Sequence, residues 1–292
     1  MTREIFLDKL SGPEGPVILS DGSFLFVEMA AGIVGHYEPQ KKKRKVIAKL
    51  SRPNGLAVDK DGVVWCAESQ NPPSLLKITM DGKAEIFLDN CNGLPFLFPN
   101  DLAFDSDGLL YMTDSGILTK NLFVNGKVRD DYNALPYDGR IYCIDTKTKE
   151  IHLVDRGYRF ANGLAFGPDG LFYANETRTG NIYRYKRKGN FFDKSTKELF
   201  GNVWLDDGKT YLRGPDGMKF SRSGNLYCAV HGQGDICVLS PHGDVKERIF
   251  TGGKRPTNVV FGTDTNLYVT EVENGCIEHY ELSSDSGFPL YH

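Results

Sequence analysis

One short phrase recurs six times along the chain, and it constrains the fold more than any other feature of the sequence. Each copy consists of an apolar run, a turn and a second apolar run. The copies span residues 12–28, 52–68, 98–114, 160–176, 214–230 and 255–271. Equivalent positions are 40 to 62 residues apart, which is the period of arrays in which every repeat forms one small structural unit.

The repeat predicts β-structure. Four copies turn at an Asp-Gly pair, which hairpin turns favour: Asp21-Gly22, Asp61-Gly62, Asp107-Gly108 and Asp169-Gly170. Third strands are expected near 139–142 and 180–183, and fourth strands near 84–90, 150–155 and 246–252. Four antiparallel strands repeated six times predict an all-β fold, a six-bladed β-propeller that forms a single domain over residues 1–292.

The N-terminal segment indicates how such a ring closes. The sequence REIFLDKL (3–10) nearly duplicates AEIFLDNC (84–91), which is predicted to be an outer strand, yet it precedes the first blade. We therefore expect residues 3–10 to be the fourth strand of the sixth blade. This closure removes the sheet edge that an open array exposes.

The third position of the phrase carries polar side chains in every copy. They are Glu14, Asn54, Asn100, Asn162, Asp216 and Thr257. The innermost strand of a blade begins at the upper mouth of the central tunnel, so these residues are predicted to lie at one depth. An all-oxygen set of donors suits a hard cation. An alternative is that the Asn and Asp side chains only cap turns.

A second set of polar residues ends the second strand of each repeat. Five of the six are carboxylates: Glu28, Glu68, Asp114, Glu176 and Glu271. Because that strand returns to the top face, these residues are expected beside the ring. Asp216 is the first candidate for the general base, with Asp114 and Glu176 as further candidates. His231, in the following loop, is a candidate donor to the leaving oxygen.

The phrases GPEGP, FPND, ANGL and GPDGM, in this order over nearly the whole chain, resemble the senescence marker protein (regucalcin)/gluconolactonase family. The resemblance implies a six-bladed propeller with one divalent metal ion held by Glu14, Asn100, Asn162 and Asp216. Ca²⁺ is expected first, with Zn²⁺, Mn²⁺ and Mg²⁺ as alternatives. It also implies a hydrolase of lactones or related esters, in which the ion polarises the carbonyl and a carboxylate activates the attacking water.

One position departs from the family. Animal members carry an arginine two residues before the first ligand Asn, where this chain has Phe98. Together with Phe96 and neighbouring leucines, Phe98 is predicted to form an apolar wall beside Asn54 and Asn100, which are expected to contact substrate. A hydrophobic lactone or aryl ester is then at least as well suited as a sugar lactone. The alternative is that these phenylalanines pack between blades.

Composition limits the partners. The net charge is −3, which gives no electrostatic basis for binding nucleic acid. The N-terminus lacks a signal peptide and no segment is apolar enough to span a membrane, so a cytoplasmic protein with a small-molecule lactone or ester substrate is expected. The six cysteines are scattered, and free buried thiols are expected. The sequence does not determine the oligomeric state.

Three other functions stay open at this point. A phosphotriesterase-like hydrolase of the diisopropylfluorophosphatase type would use the same four ligands, because the same ion polarises a phosphoryl oxygen. A non-catalytic propeller that binds calcium or a partner would also fit the carboxylates of the top face. Strictosidine synthase is a six-bladed propeller as well, but its chemistry does not need four metal ligands.

Overall fold

The computed structural model describes residues 2–189, 191–208 and 211–291, and these form six four-stranded antiparallel sheets arranged as the blades of a propeller. Strand β1 is Arg3–Leu7. Blade 1 contains β2 (Pro13–Ile18), β3 (Phe24–Glu28), β4 (Ile33–Glu38) and β5 (Lys43–Lys49). Blade 2 contains β6 (Pro53–Val58), β7 (Val64–Glu68), β8 (Ser74–Ile78) and β9 (Ala84–Leu88). The pair β10 (Asn90–Cys91) and β11 (Leu94–Pro95) follows blade 2.

The remaining blades follow the same order. Blade 3 contains β12 (Pro99–Phe104), β13 (Leu110–Asp114), β16 (Gly139–Ile144) and β17 (Ile151–Tyr158), with α1 (Thr119–Leu122), β14 (Phe123–Val124) and β15 (Lys127–Val128) inserted after β13. Blade 4 contains β18 (Ala161–Phe166), β19 (Phe172–Glu176), β20 (Asn181–Tyr185) and β23 (Glu198–Asn202), with the pair β21 (Arg187–Lys188) and β22 (Phe191–Phe192). Blade 5 contains β24 (Gly214–Phe220), β25 (Leu226–His231), β26 (Asp235–Leu239) and β27 (Val245–Phe250). Blade 6 contains β28 (Pro256–Phe261), β29 (Asn266–Glu271) and β30 (Cys276–Glu281).

Helical structure is confined to short segments. Three 3₁₀ turns, Pro39–Lys41, Tyr132–Ala134 and Lys194–Thr196, accompany α1. None of the helices in the described part of the chain is long and apolar enough to cross a bilayer. The predicted all-β propeller is confirmed.

The Asp-Gly turns form as the sequence predicts. In blade 1 the N–H of Gly22 donates to the carbonyl of Leu19 over 2.9 Å, and Asp21 Oδ1 accepts the N–H of Ser23. Gly22 has φ = +79°, a left-handed conformation that glycine adopts without the steric cost of a Cβ. The turn joins the two inner strands of the blade as an antiparallel pair, and the residues of both strands are almost all buried.

The core lies between the blades. One apolar cluster joins blades 2 and 3 through Trp65, Leu75, Leu102 and Tyr142, and equivalent clusters lie between other blades. All six cysteines are buried and free, as expected. Because each blade buries apolar surface on both neighbours, the blades stabilise one another around the tunnel.

The N-terminal strand closes the ring. Strand β1 pairs antiparallel with β30, with Arg3 opposite Tyr280 and Leu7 opposite Ile277, so the sixth blade contains both ends of the array. The ring of Phe6 packs against three aromatic rings of blades 1 and 6, those of Phe24, Tyr37 and Tyr268, with centroids 4.6–5.5 Å apart. The predicted closure by residues 3–10 is confirmed for residues 3–7.

We expect Phe6→Ala to lower the free energy of unfolding by about 2–3 kcal/mol, because a large ring leaves a cavity at the junction of the first and last blades. Ile5→Ala, on the same strand with a side chain that is 55% exposed, is the matched control and should cost much less. Urea unfolding followed by circular dichroism measures both. Equal losses in the two variants would contradict a closure that depends on the Phe6 contacts.

Candidate metal centre and active site

The six third-position residues lie where each inner strand leaves regular pairing. In every blade the register between the first two strands shifts just after this point, for example between Glu14 and Val17 and between Pro99 and Leu102. Such bulges redirect side chains. Neighbouring inner strands also come very close, since a Cβ on Gly163 would lie 2.1 Å from the carbonyl oxygen of Asp216.

Each Asn of the ring is held by a hydroxyl of its own blade. Asn54 Nδ2 donates to Ser69 Oγ (3.4 Å), Asn100 Nδ2 to Ser115 Oγ (2.9 Å) and Asn162 Nδ2 to Thr177 Oγ1 (3.1 Å). Each hydroxyl in turn donates to the carbonyl that precedes the ring residue of the next blade, namely Pro99, Ala161 and Pro215. We refer to these three relays as the hydroxyl clips.

The hydroxyl clips fix the orientation of each Asn side-chain amide, because they bind its nitrogen and not its oxygen. With the NH₂ group bound to a hydroxyl of the same blade, the amide oxygen is the atom that remains. Each clip spans 15 residues, from ring Asn to hydroxyl. The sequence itself carries this signal, as a Ser or Thr 15 residues after each ring Asn. Blade 6 differs, because Thr257 donates directly to the carbonyl of Pro13 over 2.9 Å.

The two carboxylates of the ring, Glu14 and Asp216, take no part in the hydroxyl clips, and the pKa of each is strongly raised. Burial raises the pKa of Glu14 to about 8, with the nearby charge of Asp101 contributing. Burial, then the charge of Glu14, raises the pKa of Asp216 well above its ordinary value, and a hydrogen bond from Asn162 opposes this shift. Two like charges thus share a desolvated site, which favours a proton or a cation between them.

The donor set fits a hard divalent cation. Asn162 Oδ1 is buried without a hydrogen-bond partner among the described residues, and a buried amide oxygen without a partner is uncommon. The same side chain hydrogen-bonds to Asp216 through its NH₂ group, and the charge of the Glu14–Asp216 pair would balance one divalent ion. The described residues hold no group of three or more His, Cys, Asp or Glu side chains that could bind a metal, so amide oxygens have to complete any centre here.

Two residues that follow the ring position were missed. Asp101 and Asn258 stand where four other inner strands have glycine: Gly15, Gly55, Gly163 and Gly217. Asn258 Nδ2 donates to Glu14 Oε1 over 3.2 Å, and Asp101 is buried and acts on both ring carboxylates. The signal for them was their departure from an otherwise repeated glycine.

The carboxylates that end the second strands hold loops. Asp114 accepts the backbone N–H groups of Leu97, Phe98 and Gly116 at 2.7–2.9 Å. Glu176 accepts the N–H of Arg159 and the hydroxyl of Thr179. The structure therefore gives both residues, which the sequence suggested as possible bases, a role in fixing the chain that enters an inner strand.

His231 ends β25, 15 residues after Asp216, at the position that Ser69, Ser115 and Thr177 occupy in other blades. It pairs with Gly214 at the start of the inner strand of blade 5, and its role towards the leaving oxygen stays a prediction. Burial, with a smaller effect of Arg255, lowers the pKa of His231 to about 4. The imidazole is accordingly neutral near pH 7.

The two phenylalanines of the predicted wall lie in different places. Phe96 is 2% exposed and packs on Tyr142 in the cluster between blades 2 and 3, so it lies in the core instead of at the mouth. Phe98 is 3% exposed as well; it directly precedes Pro99 and Asn100 and packs against Phe160 in a buried cluster beneath the 115–138 insertion. The alternative interpretation, packing between blades, therefore holds for Phe96, because its side chain enters the core where the chain turns into β12.

The lower end of the tunnel is covered. A cavity of about 50 Å³ lies beyond the ring, where Asp101, Lys219 and Asn258 line it. The C-terminal segment crosses it, with Gly287 bridged to Ser221 and Tyr291 bridged to Phe104. Access to the ring is consequently from the opposite end, where the inner strands begin and the long loops gather.

Comparison with known proteins agrees with this architecture. Residues 12–273 match the model of the SMP-30/Gluconolactonase/LRE-like region. A gluconolactonase of Zymomonas mobilis is 29% identical over 89% of this chain and 75% of its own length. The diisopropyl-fluorophosphatase of Loligo vulgaris is 30% identical over 94% of this chain and 90% of its own length. The structure of a calcium-binding protein, regucalcin, from Agrobacterium tumefaciens superimposes with a TM-score of 0.76 at 20% identity, over 97% of this chain and 94% of that one.

The chain belongs to the SMP-30/gluconolactonase family. The resemblance predicted from four short motifs is confirmed, and the relatives are named as hydrolases, so the predicted enzyme class is confirmed too. The regucalcin likeness shows the fold, and its description as calcium-binding applies to that protein.

We expect Thr177→Val to lower the free energy of unfolding by about 1–3 kcal/mol, since it leaves the Asn162 amide and the Pro215 carbonyl unpaired in a buried site. Thr263→Val, a change of the same shape at an exposed position, is the matched control. Chemical denaturation of both variants measures the difference. Equal stability in the two variants would show that the hydroxyl clip carries no weight.

Without a bound cation, stability should fall as pH rises from 4.5 towards about 8, because folded Glu14 keeps a proton that the unfolded chain has lost. Glu14→Gln should flatten this dependence, so that the variant is the more stable protein at pH 8 after chelation. Glu85→Gln, an exposed change, should leave the slope unaltered. Thermal melts across this pH range test the sign, and an unchanged slope in Glu14→Gln would contradict it.

Proposed function

We propose that the chain is a divalent-metal-dependent hydrolase of lactones or related esters, with its centre at the tunnel ring. The observation that carries this proposal is the buried Glu14–Asp216 pair next to the unpaired oxygen of Asn162. The lactonase and gluconolactonase names of several relatives support the substrate class.

Glu14, Asn100, Asn162 and Asp216 would hold the ion, and Ca²⁺ is the first choice for an all-oxygen set that includes two neutral amides. A divalent ion bound here supplies Lewis-acid polarisation of the substrate carbonyl and charge for the developing oxyanion. The hydroxyl clips on Asn100 and Asn162 keep their amide oxygens oriented before any ligand arrives. The ring is thus organised in advance of binding.

Asp216 is the residue to which we assign the general base. Glu14 is 3% exposed, and each of its carboxylate oxygens accepts one hydrogen bond, from the N–H of Gly15 and from Asn258, so its remaining acceptor capacity is assigned to the ion and not to a water. Asp216 is the less buried of the two residues, so its carboxylate is the one to which we assign contact with the attacking water. Asp216 would therefore take the proton of the attacking water while it contributes its charge to the centre.

The neighbours of Asp216 take supporting roles. His231 is neutral near pH 7, so it would orient the leaving oxygen by a hydrogen bond and would not act as a charged acid. Asp114 and Glu176 would act indirectly, by fixing the loops that precede Asn100 and Asn162. Asn54 lies at the depth of the ligands without being one of them, and it would contact the substrate.

The substrate should carry apolar surface. Phe160 and Tyr137 are half-buried and pack on each other beside a ring strand, and the buried Phe98 packs against Phe160 with the two rings 5.7 Å apart. Unpaired sugar hydroxyls would be unfavourable against these rings. A hydrophobic or aromatic lactone therefore suits this mouth better than gluconolactone does.

A phosphotriesterase-like activity is the second candidate. The squid diisopropyl-fluorophosphatase matches nearly the whole of this chain, and the same ligand set would polarise a phosphoryl oxygen. A propeller that binds calcium or a partner without catalysis is the remaining alternative.

Chelation should abolish hydrolysis of an aromatic lactone such as dihydrocoumarin, and Ca²⁺ should restore it.

Asp216→Asn should lower kcat by about a hundredfold or more, because it removes the base and one charge of the centre. Glu14→Gln should weaken Ca²⁺ binding in calorimetry, whereas Glu85→Gln should change neither property. Full activity in chelator, or Ca²⁺ affinity unchanged in both ring variants, would contradict the proposed centre. Diisopropyl fluorophosphate in the same assay decides the second candidate.

A further inference from the structure

Arg178 is a buried arginine whose donors are mostly unused. It is 7% exposed, and its Nε and Nη1, which carry three of the five guanidinium N–H groups, have no hydrogen-bond partner among the described residues. Its Nη2 donates to Asn133 Oδ1. Since a buried charged group without partners is costly, this arrangement indicates a ligand that completes it.

Arg178 lies close to the proposed centre. It directly follows Thr177, whose hydroxyl holds Asn162, and its own N–H donates to the carbonyl of Arg159 over 3.2 Å. The guanidinium carbon lies 4.2 Å from the ring centroid of Tyr132, so the insertion covers one face of the cation. A stacked guanidinium keeps its N–H edges free for a planar acceptor.

Among the described residues, no carboxylate forms an ion pair with Arg178. Burial lowers the pKa of Arg178, and the side chains that act on it are Tyr132, which also hydrogen-bonds to the guanidinium, Tyr137 and Arg159; none of them is a carboxyl group. Glu176, two residues earlier, is bound to the N–H of Arg159 and to the hydroxyl of Thr179. The positive charge is therefore available to a ligand.

A second arginine lies beneath the same insertion. Arg52 directly precedes Pro53 and Asn54, its Nε has no partner among the described residues, and its guanidinium carbon is 5.0 Å from the ring centroid of Phe123. Its nearest acid, Glu68, accepts the backbone N–H groups of Ser51, Arg52 and Gln70 instead. The insertion thus contacts one incompletely paired arginine on blade 2 and another on blade 4.

We propose that Arg178 binds a carboxylate group of the substrate, so that the enzyme acts on lactones or esters that carry a carboxylate. This inference rests on the proposed function and names the substrate class of the same centre. A guanidinium binds a carboxylate through two parallel N–H···O bonds, which a neutral group of the same shape cannot form. The aromatic rings of the insertion would contact the body of such a substrate.

Binding of benzoate, compared with benzamide, tests the subsite without catalysis. Calorimetry on the Ca²⁺-loaded protein should show benzoate binding that is weaker by roughly tenfold or more in Arg178→Gln, because a charge-assisted pair is lost. Arg222→Gln, at an exposed position bonded through its backbone to Ser286, is the matched control and should bind benzoate like the parent. Benzamide should bind weakly and equally to all three proteins.

Arg178→Lys is a second variant, which keeps the proposal testable if circular dichroism shows that Arg178→Gln does not fold. Lysine keeps the charge but loses the fork, so benzoate affinity should fall here as well. Benzoate affinity that is unchanged in both Arg178 variants, as expected for a carboxylate held only by the ion, would overturn the proposal. Absence of benzoate binding to the parent would overturn it too.

Kinetics separate this inference from the proposed function. For a carboxyl-substituted phthalide, kcat/KM should fall roughly tenfold or more in Arg178→Gln, whereas the matching carboxamide lactone should be hydrolysed at a nearly unchanged rate. Equal losses for the two lactones would overturn the subsite. If the parent hydrolyses neither lactone, the proposed function fails, and the benzoate titration still decides the role of Arg178.

Discussion

Antiparallel pairing of β1 with β30 is the interaction on which the remaining structure depends. It converts a row of six sheets into a ring, and only a ring brings Glu14 of the first blade close to Asp216 of the fifth and Asn258 of the sixth. The ring also forces every inner strand to approach its neighbours closely, which explains glycine after most ring residues. Two carboxylates can then share a desolvated site, because the backbone around them cannot spread apart to admit more water.

In blades 2 to 4, two neighbouring residues at the end of the second strand have different roles: a carboxylate binds the backbone, and the hydroxyl that follows binds a ring amide. The carboxylates that end second strands bind backbone N–H groups of the incoming loop, as Asp114 and Glu68 do. The residue that follows each of them in blades 2 to 4 is a hydroxyl that orients the ring amide. Acidic residues at the top face therefore do not form a single functional cluster. The carboxylates that end second strands accept hydrogen bonds from the backbone, whereas Glu14 and Asp216 are the carboxylates proposed to bind the ion.

The sequence predicted the blade count, the hairpins and the closing strand, because each follows from local patterns that repeat. A gapless alignment of the repeats also brings the six ring residues to equivalent positions of their inner strands, whereas their role as metal ligands stays a prediction. Phe96 was placed wrongly because an apolar loop residue beside the ring can turn either to the mouth or to the core, and no repeat constrains that choice. Asp114 and Glu176 show a related limit: sequence gives the position of a carboxylate but not its hydrogen-bond partners. Arg178 lay outside the repeat altogether, and only the burial of its N–H groups distinguishes it from a surface arginine.

The C-terminal segment covers the base of the tunnel, so that in the described part of the chain the ring is reached from the opposite end. Gly287 and Tyr291 bridge two inner strands there, so solvent and small molecules reach the ring from the loop side. The hydroxy acid formed by ring opening must leave by the route through which the next lactone enters. In the proposed enzyme, product and substrate would then compete for the same opening, because residues 287–291 cross the other end of the tunnel.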